Sequence, residues 1–235
     1  LPKFLPSYAG FSLVKEIKNI NLFINNSKKP SLAIIGGSKI STKINILYNL
    51  IETCDCVFIG GAMANTFLFA KGFSIGISLF EKNSINNALS IMKEAKKIGC
   101  KILLPTDVVC ADNLQDNKNI QKVRVENIPA KQMVLDIGDN TIRELNTYIL
   151  KSKAILWNGP MGAFEYKSFE KSSIMIANII KNHTKSDVLT IAGGGDTISV
   201  INIAKAQDGF SYISTAGGAF LEWLEGNGSP GVDAL

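Results

Sequence analysis

The stretch DVLTIAGGGDTISV, residues 187–200, decides how the chain is read. Residues 188–192 form a short apolar run rich in β-branched side chains, which predicts a buried strand. Gly193, Gly194 and Gly195 follow without a break, and Asp196-Thr197 then open a run with helical spacing at Ile198, Ile201 and Ala204. The order is strand, glycine turn, helix. Bare glycines let a ligand come close to the backbone, and the unpaired N–H groups of a helix start attract an anion. The same residues also suit a plain tight turn with Asp196 as a helix cap. Taken alone, the loop leaves both readings open.

Outward from this loop the same unit recurs. SLAII (31–35) ends in Gly36-Gly37, and SKISTK leads into a helix with Ile44, Leu47 and Ile51 on one face. CVFI (56–59) ends in Gly60-Gly61 before the helical run AMANTFLFAKG. VLDI (134–137) precedes Gly138 and a helix over 141–150, and AILW (154–157) ends in Asn158-Gly159-Pro160. After a helix over 172–181 and the opening loop, SYI (211–213) ends in STAGG and the helix FLEWLEG. At least five strands therefore carry glycine at their carboxyl ends. Such alternation predicts an α/β domain: a three-layer, doubly wound, mainly parallel, Rossmann-like sheet with helices on both faces. Ligands of such sheets bind outside the carboxyl ends of the strands, where the glycines gather.

Other segments fill in the plan. Residues 101–104 read as a strand ending at Pro105, while VVCA (108–111) and KVRV (122–125) flank a polar loop and read as a small β-hairpin insertion. Residues 84–98 form an amphipathic helix with Ile85, Leu89, Met92 and Ala95 facing inward, Lys96 and Lys97 in its last turn and Gly99 as its stop. Residues 8–26 form a helix with an apolar stripe at Leu13, Ile17, Ile20 and Ile24. No strand precedes it, so residues 1–26 read as a segment connecting to a preceding domain, and 27–235 as the α/β domain. The two ends, LPKFLPS and GSPGVDAL, read as irregular turns.

Composition bounds the function. With 46% hydrophobic and 19% charged residues over 235 positions, the chain is globular. No apolar run approaches the roughly 18 residues of a membrane span, and no secretory signal is present. A first residue of Leu rather than Met points to a piece of something longer. The net charge of +5 is carried by scattered lysines without a basic, aromatic-interleaved stripe, which argues for a solvated surface rather than a nucleic-acid face. It also suits an anionic small molecule. Cys54, Cys56, Cys100 and Cys110 lack zinc or redox spacing and read as buried free thiols of a reducing cytoplasm. His183, the one histidine, follows a helical run and reads as a helix-end residue, so a histidine triad has little support.

The chemistry lies on the glycine edge. G-x-x-x-x-G-K-[ST] is absent, no G-x-G-x-x-G follows a strand, and the protein-kinase motifs are missing, which weakens both P-loop and dinucleotide readings. Lys39 and Lys43 stand at a helix start, where a cation opposes the helix dipole by about 0.3–1 kcal/mol and an anion would reverse the sign. If both are helical, their spacing puts both ammonium groups on one face. The bland alternative is two solvated lysines in a lysine-rich chain. Asp196 could hold Mg²⁺, which takes one or two carboxylates plus phosphate oxygens and water. Glu165 suits ribose hydroxyls, and Gly217-Gly218 form a second anion nest. Together these groups describe a polyphosphate site suited to positioning and electrostatic stabilisation.

GGSKISTK (36–43), GGAMANTF (60–67), WNGPMGAFE (157–165), AGGGDT (192–197) and STAGGAFLEWLEG (214–226) together resemble the phosphoglycerate kinase family, bacterial type. Each glycine motif is weak alone, but five in order span nearly the whole chain. The resemblance covers only the carboxyl-terminal, nucleotide-binding domain and the helix leading into it. The amino-terminal domain, which holds 3-phosphoglycerate, has no counterpart here, so this chain by itself is expected to bind nucleotide but turn over little. Ser38, Ala62 and Met161 are small departures from the family pattern.

By position, the resemblance implies reversible phosphoryl transfer between 1,3-bisphosphoglycerate with ADP and 3-phosphoglycerate with ATP. Lys39 would contact nucleotide phosphates and Lys43 would stabilise the group in flight. Asp196 would bind Mg²⁺, with Thr197 and the backbone of Gly194 and Gly195 beside the phosphates. Glu165 would hold the ribose, while Gly37, Gly61 and Pro160 would shape the adenine slot. Gly217 and Gly218 would face the transferring group. Gly36, Gly60, Asn158, Gly159, Gly193 and Thr215 complete the implied nucleotide site. The resemblance implies a monomer that closes two domains over its substrates, with no nucleic-acid or membrane partner.

Overall fold

Alternating strand and helix build two sheets in a computed structural model that describes residues 8–26, 28–115, 118–184 and 187–225. The chain opens with α1 (Phe11–Asn26), β1 (Ser31–Ile35), α2 (Ile44–Thr53), β2 (Cys56–Ile59), α3 (Gly61–Ala70), α4 (Ile85–Ile98) and β3 (Lys101–Leu103). β4 (Asp107–Ala111), β5 (Gln121–Arg124) and β6 (Met133–Ile137) follow, then α5 (Asp139–Lys151) and β7 (Ala154–Asn158). The last elements are α6 (Lys171–His183), β8 (Leu189–Gly193), α7 (Gly195–Ile203), β9 (Tyr212–Ser214) and α8 (Gly218–Leu224).

The main sheet is parallel throughout, in the order β3-β2-β1-β7-β8-β9. The winding starts at β1, runs outward through β2 and β3, then returns to the centre and runs the other way through β7, β8 and β9. The reversal therefore falls between β1 and β7, which are paired with Ile35 opposite Asn158. Period-2 alternation sends adjacent side chains into opposite layers. Ala33, Ile35, Leu156 and Ile191 meet α1, α2, α3, α4 and α8 on one face. Leu32, Ile34, Trp157 and Ala192 meet α5, α6 and α7 on the other. This is the expected three-layer, doubly wound fold.

Three local readings are corrected. First, residues 134–137 read as another strand of the parallel series, yet β6 lies in a separate antiparallel sheet, β5-β4-β6. The hairpin of β4 and β5 is present, and β6 is its third strand. Gly138 after β6 has a different purpose from the other strand-end glycines. A β-carbon there would overlap the Asp107 carboxylate, which accepts the N–H groups of Asn140 (3.0 Å) and Thr141 (2.7 Å) and so caps α5 from β4.

Second, α4 buries Ala88, Ile91 and Ala95, with Met92 partly buried, while Leu89 faces solvent. The apolar positions were compatible with two adjacent stripes, and packing against α2 and α3 selected the one carrying the small alanines. Third, α1 buries Ile20 and Phe23 in the core with Ile24 packed against it, while Leu13 stays about one-third exposed, so the stripe is used mainly in its second half. Gly99 does end α4 in the left-handed conformation, at φ 85°. Both terminal segments read as irregular, 1–7 and 228–235, lie outside the described residues.

All four cysteines are free and buried, and burial pushes their thiols up, to about 12 at Cys54 and Cys56 and about 11 at Cys100 and Cys110. These are inert thiols. His183 ends α6, its Nε2 3.2 Å from Ser152 O. Among the described residues no helix is long and apolar enough to cross a membrane.

Candidate functional site

The site is built where the strand order reverses. Glycine lets the ends of β1 and β7 close on each other: Gly36 N–H donates to Asn158 O at 2.8 Å. A β-carbon on Gly36 would sit 2.7 Å from Gly159 O and closer still to Pro160 O. Gly61, at φ 65°, starts α3 against Gly37, and Met63 N–H donates to Gly37 O at 2.9 Å. Several of the edge glycines therefore serve close backbone approach at the switch point.

Asn158 is the hub of the polar groups. It is almost fully buried at the end of β7, donates from Nδ2 to Gly193 O at 2.7 Å, and accepts at Oδ1 from Lys43 Nζ at 2.6 Å. Lys43 also donates to Gly36 O at 2.7 Å. Burial lowers the Lys43 pKa to about 8, with the nearby Asp196 charge partly offsetting the effect. An anion arriving here would meet a cation short of compensating charge. Gly159 N–H donates to the buried Thr197 Oγ1 at 2.7 Å, tying β7 to the first turn of α7.

Lys43 and Lys39 do not share a helix face. α2 begins at Ile44, so Lys43 is its cap residue and Lys39 lies in the preceding irregular segment. Lys43 folds back into the β1–β7 junction, whereas Lys39 is exposed near Glu81. The Glu81 carboxylate accepts from Ser41 N–H at 2.8 Å and holds that segment in place. Buried hydrogen-bond acceptors, rather than helical periodicity, decide the course of Lys43.

Beside the junction lies a cavity of about 380 Å³. Gly37, Gly61 and Pro160 form its glycine end, and the exposed carboxylates of Glu165 and Asp196 line it too. Its apolar walls come from Leu68 and Leu79 on one side and from Val108 and residues 133–137 of the small sheet on the other. The structure thus brings Gly37, Gly61, Pro160, Glu165 and Asp196 to one cleft, with Lys43, Gly36, Asn158, Gly159, Gly193 and Thr197 joined directly behind it. Gly60 packs on Met161 and donates its N–H to Ile35 O at 2.8 Å. Gly194 caps α7 at φ 95°, and Gly195 is open, with nothing within 4 Å of a β-carbon placed on it. Thr215 and Gly217 are exposed on the same sheet edge, where Gly193 pairs with Ser214 and Gly217 caps α8 at Gly218. Neither lines the cleft.

Sequence reasoning missed the wall opposite the glycines. Asn65, fully buried in α3, and Asp136, buried in β6, both line the cavity. Asp136 accepts from Ser172 Oγ, from Ser172 N–H at 3.2 Å and from Ile137 N–H at 2.9 Å. Burial nevertheless pushes its carboxyl up to about 7, the hydrogen bonds from Ser172 and Ile137 and the charge of Lys171 opposing the rise. A carboxylate inside MVLDI and an amide inside GAMANTF are each polar residues in apolar runs, and that was the available signal.

An open, doubly wound parallel sheet with its cleft at the switch point defines the class: a Rossmann-like α/β domain with a cleft at the carboxyl ends of its strands, where sheets of this kind bind ligands. A family model described as phosphoglycerate kinase matches residues 1–227. The chain belongs to the phosphoglycerate kinase family. Its relatives include the phosphoglycerate kinases of Chelativorans sp., 42% identical over 236 residues, and Sinorhizobium medicae, 43% identical over 236 residues. Each alignment takes in 100% of this chain and 59% of the relative, so the chain spans about three-fifths of the length of the curated relatives it matches. The solved phosphoglycerate kinase of Coxiella burnetii superposes with a TM-score of 0.90 at 36% identity, over 94% of this chain and 57% of that one. That of Pyrococcus horikoshii superposes at 0.82 and 26% identity, over 100% and 58%.

Proposed function

We propose that residues 27–235 form the nucleotide-binding domain of a cytoplasmic glycolytic phosphoglycerate kinase, with residues 1–26 as the connection to a second domain that holds 3-phosphoglycerate. The reaction is reversible phosphoryl transfer between ADP with 1,3-bisphosphoglycerate and ATP with 3-phosphoglycerate. One observation carries the reading: an apolar slot at the switch point has carboxylates along it and a partly desolvated ammonium, Lys43, directly behind its glycine end.

In this reading the nucleobase lies between α3 and the small sheet, with Glu165 on the ribose. The phosphates reach the open backbone at Gly194 and Gly195 and the start of α7, where the helix N-terminus favours negative charge. Lys39, exposed to solvent, reaches the outer phosphates, and Thr215, Gly217 and Gly218 approach from β9 and α8. In the forward direction a terminal ADP oxygen bonds to phosphorus as the acyl phosphate P–O bond breaks, and no proton moves. Lys43 keeps its proton and offers positive charge to the oxygens of the group in transit.

The donor set fits Mg²⁺. Among the described residues there is no cluster of three or more metal-ligating side chains, but Mg²⁺ needs only one or two carboxylates when phosphate and water complete its shell. Asp196 is exposed at the cleft and available for that role. When bound, the ion would neutralise nucleotide phosphate charge.

Calorimetry with MgADP tests the site, and turnover assayed with and without the second domain tests the division of labour. Binding that is lost in the Lys43→Ala, Asp196→Ala double variant is expected, with negligible turnover by this chain alone. No binding by the unaltered chain, or equal binding by the double variant, would refute the assignment.

A further inference from the structure

A second cavity follows the open edge of the main sheet. β3 is the end strand, paired with β2 on one side only, and the groove beside it is walled by α4 and by α5 with the small sheet. The space is about 810 Å³, more than twice that of the cleft at the switch point and of a size that takes small molecules. Among the described residues the two share only Leu68 and Pro105. Phe73, Met92, Ile102 and Leu104 line this second cavity, each packed on the core with part of its surface left open. Around them stand four exposed cations, Lys71, Lys96, Lys101 and Arg124, and two exposed carboxylates, Glu126 and Glu144.

These charges do not cancel. Arg124 pairs with Glu126 at 3.3 Å, and Glu144 accepts from Thr106 Oγ1 at 3.2 Å. Lys101 donates to the neutral hydroxyl of Tyr148 at 2.5 Å and lies 5.1 Å from the centre of its ring. Among the described residues no carboxylate forms an ion pair with Lys71, Lys96 or Lys101. Water in the groove leaves the apolar floor wet, and an inorganic anion answers only the lysines. An organic anion answers both, because its body takes apolar surface out of water while its head meets the unneutralised rim. We infer that this cavity binds a small amphipathic carboxylate, with its apolar body against Phe73, Met92, Ile102 and Leu104 and its head among Lys71, Lys96 and Lys101. The ligand is a free molecule, since the helices on either side of β3 admit a single chain or ring system and not a flat bilayer. This site stands apart from the nucleotide assignment, using neither the glycine edge nor Lys43.

The test uses anilinonaphthalene sulfonate, an apolar anion that fluoresces when its rings leave water, on the 235-residue chain. Decanoate is expected to displace the probe, whereas decyltrimethylammonium, with the same chain and a cationic head, and MgADP are expected not to. Lys71→Glu with Lys96→Glu is expected to weaken decanoate binding about tenfold, the effect of reversing two exposed charges beside the head. Lys18→Glu with Lys205→Glu, the same change in net charge at exposed positions outside the cavity lining, is expected to leave it unchanged. No displacement by decanoate, equal displacement by the ammonium, or equal weakening by both lysine pairs overturns the proposal. Competition between MgADP and decanoate overturns it too, by placing the probe in the cleft at the switch point. Capture of the chain on phosphatidylglycerol vesicles without competition from free decanoate would mark a membrane contact and refute the free-ligand site. If a charge-reversed pair fails to fold, the three-competitor comparison on the unaltered chain decides independently.

Discussion

Replacing Lys43 by Met should separate binding from folding. In the free chain the ammonium is held between Gly36 O and Asn158 Oδ1, and burial keeps its pKa near 8 rather than 10.5. That displacement corresponds to about 3 kcal/mol disfavouring the charged form at neutral pH. Removing the charge relieves that cost but strips a donor from two acceptors, which costs about 1–3 kcal/mol. The contributions nearly cancel, so Lys43→Met should change unfolding stability by less than about 2 kcal/mol in urea titrations at pH 7. Affinity for MgADP should fall about 10- to 100-fold, because a hydrogen bond from a charged donor to phosphate contributes about 1.5–3 kcal/mol. A pH series adds a second arm. Above about 8 the unliganded lysine loses its proton, so MgADP binding to the unaltered chain should weaken about tenfold between pH 8 and 9.5, and the variant should show no such slope. Over the same interval the fold itself should gain stability from this group, since from pH 8 to 10.5 the unfolded chain binds the extra proton. Unchanged affinity in Lys43→Met, or a stability loss above about 3 kcal/mol, would refute the reasoning.

Four further outcomes are expected. Gly36→Ala should destabilise the fold by about 3 kcal/mol or more in urea, because its β-carbon would overlap the Pro160 carbonyl oxygen. Gly195→Ala, in open space at a helix start, should leave stability level or up to about 1 kcal/mol higher while weakening MgADP binding; a marked stability loss there would show that this glycine serves packing. Asp136, with its carboxyl near 7 rather than 3.8, should cost the fold a few kcal/mol of stability as pH rises from 4 to 7, since the folded state retains a proton the unfolded chain releases. In Asp136→Asn that part of the pH slope should vanish from thermal melts. Asp107→Ala should lower stability by about 1–2 kcal/mol by uncapping α5, with MgADP affinity retained; a variant as stable as the parent would contradict the capping role.

The sequence by itself determined the alternation of strand and helix, the parallel class of the main sheet and the glycine edge, because those properties are written in local periodicity and in the conformational freedom of glycine. Family membership was legible for the same reason: GGSKISTK, WNGPMGAFE and AGGGDT all mark places where backbone must approach backbone or remain bare. Tertiary structure decided what local pattern leaves degenerate. VLDI at 134–137 is equally consistent with either sheet, and only its pairing with β4 assigned it to the antiparallel one. Lys39 and Lys43 looked equivalent until two buried acceptors drew one ammonium inward and left the other in solvent. Gly138 and Gly195 both follow strands, yet one clears space for the Asp107 carboxylate and the other faces open space. Burial and hydrogen-bond partners join residues more than a hundred positions apart, as at Lys43 and Asn158, and those joins exist only once the sheet has assembled.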